Sequence, residues 1–449
     1  MIVRLVLGHL LAIIVGRAVS VRLADRGKLG PALLLISWAF GVAILSLLSF
    51  LCLLTADEFP HSYCLIELAI GAAAAYVFWK TKRVYRSETT EVRGRDAVLV
   101  GFSALLLLAN AVFAVILSIK EPHGAWDGFV IWNAHARFLV ATEPGAWRNL
   151  FLSRIAHADY PLLVPLAVAR LWVWTGSVAP LPAASVSLGF AFATIAALYW
   201  FLSDAVDDVR ALTGAILLGC TSVFFWNSTA QMADIPLSFF MLTATGAISK
   251  AHRTGSNAAV AIAGLATGAA AWTKNEGIAF CAVIALVILA RHSFRALREF
   301  AFFVAGAALP LAFVTYFKSV LAPGNDLLRG QIARDYFSRL LDPSRYRIVG
   351  QAFLREIVTF GSGSIIVLVI VSLVLFAVQR PRARPNKDAA AVLFLMLIAY
   401  FSVYVVTPRP LAWHLATSLE RLFLQLWPLM IFGGLVSQRS DIPGACARK

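Results

Sequence analysis

Three aspartates stand where apolar segments end or begin, and each could act on a hydroxyl group. Asp127 lies in KEPHGAWDGFVIW, Asp159 in HADYPLLVP and Asp234 in AQMADIPL. A carboxylate flanked by indoles at a membrane surface is partly desolvated and becomes more basic toward an incoming hydroxyl. Capping of the following helix is the alternative role for each of the three, because aspartate is a preferred N-cap residue.

A lysine and a glutamate stand close together between two apolar segments. AWTKNEGIAF contains Lys274 and Glu276. A lysine in a short apolar connection invites an anionic partner such as a substrate phosphate. Local neutralisation by Glu276 is the alternative. Both residues are candidates for substrate binding, as is Asp234.

A cationic stripe is expected further along the chain, in PLAWHLATSLERLF. His414, Ser418 and Arg421 are spaced four and three apart, so a helix places them on one face. Such a stripe at headgroup level suits a lipid phosphate, and snorkelling of the long side chain is the competing explanation. His157 and Asp159 are a possible pair of ligands for a divalent cation, but two ligands are a weak metal signal.

The composition indicates whether the helices that position these residues lie in water or in a membrane. Among the 449 residues, 60% are hydrophobic and 14% are charged, too few charges to cover a soluble protein of this size. The chain is therefore expected to be a polytopic membrane protein. Its net charge of +15 is better explained by basic cytoplasmic loops than by a nucleic-acid partner.

Apolar segments of sufficient length predict an all-α fold with about thirteen transmembrane helices. One is the N-terminal segment, and the others are 31–55, 62–79, 97–119, 182–203, 210–227, 235–250, 257–272, 277–291, 299–321, 357–378, 389–407 and 421–437. Residues 160–176 are also apolar but contain Pro161, Pro165 and Arg170. We expect them to form a juxtamembrane helix with its apolar face in the headgroup region.

Loop charge sorts the connections onto two sides of the membrane. If 160–176 does not cross, seven connections on one side hold 23 Lys and Arg: 17–28, 80–95, 203–210, 250–256, 291–298, 379–388 and 438–449. The short connections on the other side hold three: Lys274, Arg409 and Arg421. The positive-inside bias makes the first side cytoplasmic, so the chemistry-bearing residues lie on the outer face.

The order of several segments resembles that of a known family. WDGFVIWNAHARFL, HADYPLLVPL, ADIPLSFF, GLATGAAAWTKNEG and WHLATSLERLFLQLWP look like the multispan GT-C glycosyltransferases. The nearest likeness is to bacterial relatives of the dolichyl-phosphate-mannose protein mannosyltransferases and the lipid A aminoarabinose transferase. The resemblance implies a GT-C core over 97–437 with outer loops 120–181 and 322–356. It treats 1–96 as additional helices and leaves 438–449 as a cytoplasmic tail.

The resemblance also implies roles for particular residues. Asp127 matches the first-loop acid that activates or positions the acceptor, and Asp234 and Lys274 match residues of the next outer loops. The family often has a second acid directly after the first, but Gly128 follows Asp127 here. Asp159 is the substitute we consider, so Asp127 and Asp159 are the candidate catalytic residues.

The implied reaction is transfer of a sugar from a polyprenyl-phosphate carrier to a hydroxyl of a lipid, glycan or protein, with inversion. Its setting is the outer face of a bacterial inner membrane, with no certain cofactor beyond an optional divalent cation. A flippase for a polyprenyl-linked glycan and a glycan polymerase or ligase are the alternatives. Transporters usually place polar groups at mid-membrane, whereas the polar residues here gather at one end of the spans.

Overall fold

The computed structural model describes residues 1–23, 30–80, 95–152, 157–291, 293–324, 335–378 and 383–439. This part of the chain is helical almost throughout, which confirms the predicted helical class. The exception is a pair of three-residue strands, β1 (Ala383–Pro385) and β2 (Ser437–Arg439), which pair antiparallel. The predicted tail 438–449 lies largely outside the described residues, from 440 onward.

The first half of the chain contains long helices interrupted by one loop-rich segment. The helices are α1 (Ile2–Ser20), α2 (Pro31–Ala56), α3 (Tyr63–Lys80), α4 (Arg95–Lys120), α5 (Ala134–Leu139), α6 (Asn149–Leu152), α7 (Leu163–Thr175) and α8 (Pro180–Ala205). A π-helical turn, Gly128–Asn133, precedes α5, and a 3-10 turn, Ala146–Arg148, precedes α6.

The second half continues in the same manner. Its helices are α9 (Asp208–Gly219), α10 (Ser222–Thr229), α11 (Asp234–Thr254), α12 (Asn257–Thr273), α13 (Asn275–Leu289), α14 (Phe294–Tyr316), α15 (Tyr336–Leu340), α16 (Pro343–Thr359), α17 (Ser364–Val378), α18 (Lys387–Val406) and α19 (Leu411–Leu435). A π-helical turn, Phe317–Leu321, extends α14, and a 3-10 turn, Phe360–Ser362, links α16 to α17.

Seven helices of the described chain are long and apolar enough to cross a membrane, and two bent helix pairs raise that number to nine. The protein is therefore membrane-embedded. Each predicted span falls on helical residues, but thirteen crossings are not confirmed. Some helices are too polar to count as membrane spans by hydropathy. Helix α11 is one, because it buries Ser238, Thr243, Thr245 and Ser249 against its neighbours, and an interior helix can carry such polar side chains.

Two of the predicted spans are broken rather than straight. Helices α9 and α10 meet at 66°, and α16 meets α17 at 81°. The second break moves the start of the predicted span 357–378 to Ser364. The two breaks touch, because a Cβ on Gly361 would lie 2.7 Å from the Thr221 Cγ2, and Trp427 Nε1 donates to Thr221 Oγ1 at 2.9 Å.

The predicted juxtamembrane helix is present as α7, but its environment is not the one expected. All of its residues except Val173 are buried by protein, so its apolar face does not lie in the headgroup region. Arg170 explains the difference. Its Nε donates to Glu67 Oε1 of α3 at 2.6 Å and its Nη2 to the Gly8 carbonyl of α1 at 2.5 Å. The charge is thus neutralised inside the protein.

The N-terminal helices pack directly on the rest of the molecule. Trp174 Nε1 of α7 donates to the other oxygen of Glu67 at 2.5 Å, and His9 Nε2 of α1 lies 3.0 Å from Ser185 Oγ of α8. The ring of Trp38 packs edge-on against Phe190, which continues this contact from α2 to α8. Residues before 97 therefore share an interior with the helices that follow them.

Candidate functional site

Loops that carry the predicted site residues meet at one end of the helices. Asp57, in the loop after α2, forms an ion pair of 2.7 Å with Arg148 of the segment 120–181. Asp127 of the same segment pairs with Arg421 of α19 at 2.6 Å. These two ion pairs bring the loop after α2, the segment 120–181 and α19 together. Positions 325–334 of the predicted loop 322–356 lie outside the described residues.

Eight side chains at this end form what we call the charged row: Asp127, Arg421, Asp234, Lys274, Glu276, Asn275, Asp159 and Lys318. Side-chain contacts of 2.6–2.9 Å join the row, with two exceptions between neighbours. Glu276 follows Asn275 directly in the chain, and Lys318 contacts Asn275 rather than the Asp159 carboxylate, which is 3.7 Å away.

Burial divides the charged row into a centre and two ends. The side chains of Asp234 and Lys274 are only 1% and 5% exposed. Asp127 at one end is 33% exposed, and Lys318 at the other end is 25% exposed. Arg421 and Glu276 are 23% and 21% exposed, so Asp127 and Lys318 are the most accessible members of the row, and a group that reacts with a substrate must be reachable.

Asp234 is the buried anchor of the charged row. Its Oδ1 accepts from Lys274 Nζ at 2.9 Å and from Gln425 Nε2 at 2.6 Å. Its Oδ2 accepts from Arg421 Nε at 3.0 Å and Nη2 at 2.8 Å. The Gln425 amide oxygen in turn accepts from the Tyr400 hydroxyl at 2.6 Å, which holds the amide in this orientation. With four donors, this carboxylate is saturated and joins α11, α13 and α19.

Lys274 sits in the turn between α12 and α13 and contacts two carboxylates. Its Nζ lies 2.9 Å from Asp234 Oδ1 and 2.9 Å from Glu276 Oε1. Burial alone would lower the pKa of this ammonium, but the two carboxylates raise that pKa above its ordinary value, so the lysine stays charged. The neutralisation by Glu276 considered from the sequence is confirmed, with Asp234 as the second partner.

The tight turn that presents Lys274 depends on a glycine. A Cβ on Gly277 would stand 1.9 Å from the carbonyl oxygen of Ala270, so α13 can approach α12 this closely only without a side chain there. The motif TKNEG therefore brings a cation, an amide and an acid to one turn. All three belong to the charged row.

At the exposed end, Asp127 stands directly before the π-helical turn. Its Oδ2 accepts from Arg421 Nη1 at 2.6 Å, and no described residue donates to its Oδ1. Its side chain makes no capping hydrogen bond. The same is true at the N-termini of α7 and α11, so capping is wrong as the role of Asp127, Asp159 and Asp234. Each of these carboxylates instead binds side chains from distant segments.

The other end of the charged row joins three segments. Asp159 Oδ2 accepts from Asn275 Nδ2 at 2.8 Å. Lys318, in the π-helical turn after α14, donates to the Asn275 amide oxygen at 2.6 Å and to the backbone carbonyl of Asp159. Its distance to the Asp159 carboxylate is 3.7 Å, so this ammonium is held mainly by neutral acceptors.

The aromatic side chain of Tyr160 packs beside Lys274. The ring of Tyr160 stacks on Trp132 at 5.6 Å and on His157 at 4.4 Å, and Lys274 Nζ lies 5.9 Å from its centroid. Burial raises the pKa of the Tyr160 phenol above its ordinary value, so the hydroxyl keeps its proton. This stack holds His157 beside the first loop of the site.

His414 does not join the charged row. Its Nδ1 lies 3.0 Å from Thr407 Oγ1, and its ring packs 4.9 Å from that of Tyr404. Ser418 Oγ lies 2.7 Å from the Tyr404 hydroxyl, whereas Arg421, one turn further, reaches Asp234. The predicted helical face exists, but its members have separate partners.

Two polar side chains of this site are not predicted from the sequence. Lys318 lies inside a long apolar segment, and Gln425 lies in the middle of another. Each is a polar side chain within a predicted span, which is the signal that could have identified it. Within the described residues, no three His, Cys, Asp or Glu side chains come together in a way that could hold a metal ion.

Comparison of the chain with protein-family models, curated proteins and solved structures finds no match.

Proposed function

We propose that this protein is a membrane glycosyltransferase of the GT-C type. It would transfer a sugar from a polyprenyl phosphate to an acceptor hydroxyl, at the outer face of a bacterial inner membrane. The observation that carries the proposal is the charged row, which offers a partly exposed carboxylate at one end and a partly exposed ammonium at the other. The residues that support the resemblance, Asp127, Asp234 and Lys274, all belong to this row.

Asp127 is the base in this proposal. It is the most exposed carboxylate of the charged row, and its Oδ1 is open to an incoming hydroxyl in the described structure. Arg421 fixes its other oxygen, so the carboxylate is oriented before an acceptor arrives. A positioned base of this kind contributes roughly 10²–10⁴-fold to a proton transfer.

The donor phosphate is assigned to the Lys318 end. Lys274 and Arg421 each already contact two carboxylates, so a phosphate would have to displace an acid to reach either of them. Lys318 is held by neutral oxygens and can turn toward a phosphate without separating a close ion pair. Lys274, Arg421 and Asp234 then act by holding the site together, and Glu276 pairs with Lys274.

The chemical step needs no further reactant. The acceptor oxygen bonds to the anomeric carbon as the bond from that carbon to the phosphate oxygen breaks. The electron pair stays on the lipid phosphate, where a cation stabilises it. The hydroxyl proton passes to Asp127 and then to water.

One displacement inverts the anomeric centre, and the geometry supports this outcome. A retaining mechanism requires a second carboxylate as nucleophile on the opposite side of the sugar. The other carboxylates of the row are already engaged: Asp234 is buried and accepts four hydrogen bonds, Glu276 pairs with Lys274, and Asp159 accepts from Asn275.

The test is the variant Asp127→Asn, purified in detergent and assayed with membranes as the source of donor and acceptor. We expect transfer to fall at least about 100-fold while the protein remains folded, because an amide cannot accept the proton. Glu121→Gln is the control, since this exposed acid lies in the same loop outside the charged row. Normal turnover by Asp127→Asn would overturn the assignment.

A flippase for a polyprenyl-linked glycan is the second candidate, and the paired helix breaks favour it. The breaks at Thr221 and Gly361 touch within the helical bundle, and discontinuous helices are common in transporters. A polymerase or ligase acting on a lipid-linked glycan is the nearest enzymatic alternative. Accumulation of an untranslocated lipid-linked intermediate in a deletion strain would support the flippase over either enzyme.

A further inference from the structure

An apolar cavity of about 500 Å³ lies between helices α2, α4, α8, α9 and α10 and is open on one side. Its lining is apolar apart from Asn110, Tyr199 and Ser228, and no residue of the charged row contributes to it. Helices α2, α4 and α8 are candidate membrane spans, and α9 with α10 is a bent one. The cavity therefore lies between candidate membrane spans, and its apolar lining suits a hydrocarbon chain.

One end of this cavity reaches the segment that carries Asp127. Ser228, near the end of α10, lines the cavity, and two residues later the Ala230 carbonyl accepts from the Ala125 backbone at 3.1 Å. A Cβ on Gly128 would stand 2.2 Å from the same carbonyl, so the turn after Asp127 is pressed against α10. The α4 wall also continues, through Lys120, into the Asp127 segment.

The charged side chains around the cavity indicate which substrate it binds. No lysine or arginine among the described residues lines it, so the described lining offers no cation to bind the phosphate of a donor. Lys318, the cation assigned to that phosphate, lies at the opposite end of the charged row. The cavity lining includes instead Ser228, two residues before the Ala230 carbonyl that contacts the segment of Asp127.

We propose that this cavity binds a hydrocarbon chain of the acceptor, which is therefore a membrane lipid with a hydroxyl-bearing headgroup. The chain lies between α4 and α8, and the headgroup reaches Asp127. This inference rests on the proposed function and narrows its acceptor to a lipid. Helix α2 supplies one wall of the cavity, which gives the N-terminal helices a part in acceptor binding.

The experiment fills the cavity with Ala111→Trp on α4. The matched control is Ala109→Trp, an exposed alanine of the same helix that does not line the cavity. Membranes of a deletion strain supply the donor and acceptor, purified protein is added, and the lipid, polysaccharide and protein fractions are analysed by mass spectrometry. Ala32→Trp fills the same cavity from the opposite wall and replaces Ala111→Trp if that variant does not fold.

With the wild-type protein we expect one lipid to gain one sugar. Ala111→Trp or Ala32→Trp should reduce this product at least tenfold, and Ala109→Trp should leave it unchanged. A sugar gained only by polysaccharide or protein, or full activity of both folded filled-cavity variants, overturns the lipid acceptor. If wild-type protein adds sugar to no fraction, or Asp127→Asn matches wild type, it is the proposed function that fails.

Discussion

The two ends of the helical bundle both carry buried ion pairs, yet they differ in which charges remain accessible. Opposite the charged row lies an inner cluster made of the side chains of Asp204, Lys250, His252, Arg253, Arg291, Arg295, Glu299 and Asp388. In this cluster the acids are at most 10% exposed, while Arg253, Arg291 and Arg295 are 27–52% exposed. In the charged row, acids are among the exposed members.

The two regions also differ in their numbers of carboxylates and cations. The charged row has four carboxylates and three cations, and the inner cluster has three carboxylates and four permanent cations in addition to His252. Cations exposed at that end are suited to contact anionic headgroups. An exposed carboxylate is suited to accept a proton. Buried ion pairs alone therefore do not distinguish a reactive site from a structural one; the accessible groups do.

The sharpest test of this comparison removes one buried lysine from each region. Lys274→Met leaves Asp234 and Glu276 without their ammonium, and Lys250→Met does the same to Asp204. Each change should lower the free energy of unfolding by about 3–5 kcal/mol, measured by thermal unfolding in detergent. Sugar transfer per folded molecule should fall at least about 100-fold in Lys274→Met, because the members of the charged row lose their positions, and stay near wild type in Lys250→Met. Equal loss of transfer in both variants would remove the distinction.

A smaller effect is expected at the exposed cations of the two regions. Lys318→Gln should raise the KM for the polyprenyl-phosphate donor by roughly tenfold, because a charge-assisted hydrogen bond contributes about 1.5–3 kcal/mol. Arg295→Gln at the inner end should leave KM unchanged, since its ion-pair partner within the described residues is Glu299, one helical turn away. The comparison would be wrong if the Lys318 variant altered kcat alone, or if both variants weakened donor binding.

The smallest effect is expected for His414→Gln. The imidazole bonds to Thr407 and packs on Tyr404 rather than joining the charged row. Transfer should stay within about threefold of wild type, equivalent to roughly 0.6 kcal/mol. A steady-state assay is sufficient, and a loss of tenfold or more would return His414 to the phosphate-binding residues.

Local patterns in the sequence predict the helices well, because apolar length and helix content go together in a membrane protein. They also predict which loops share an end, since loop charge is set by topology. Lys274 and Glu276 could be paired from their spacing alone. Asp234 and Arg421 could not, because 187 residues separate them and only the tertiary packing of α11 on α19 brings them together.

The errors have a common physical origin. Helix α7 is predicted as a surface helix because loop charge disfavours a crossing there and its apolar run contains Arg170 and two prolines. In the structure the distant Glu67 neutralises Arg170, so the helix lies in the protein interior. Hydropathy does not identify Lys318, because it averages the charge of this residue over a long apolar segment. The capping alternatives for the three aspartates failed for the same reason: a partner far along the chain competes with the nearby backbone amides.

The Arg170–Glu67 pair has a consequence for how the chain enters its membrane. Glu67 is synthesised 103 residues before Arg170, so α3 reaches the bilayer carrying an acid whose partner does not yet exist. An uncompensated charge inside an apolar helix costs up to about 3 kcal/mol at insertion. We expect α3 to stay beside the insertion machinery until α7 emerges. The N-terminal helices, although made first, would then reach their final packing only after the first site loop has been translated.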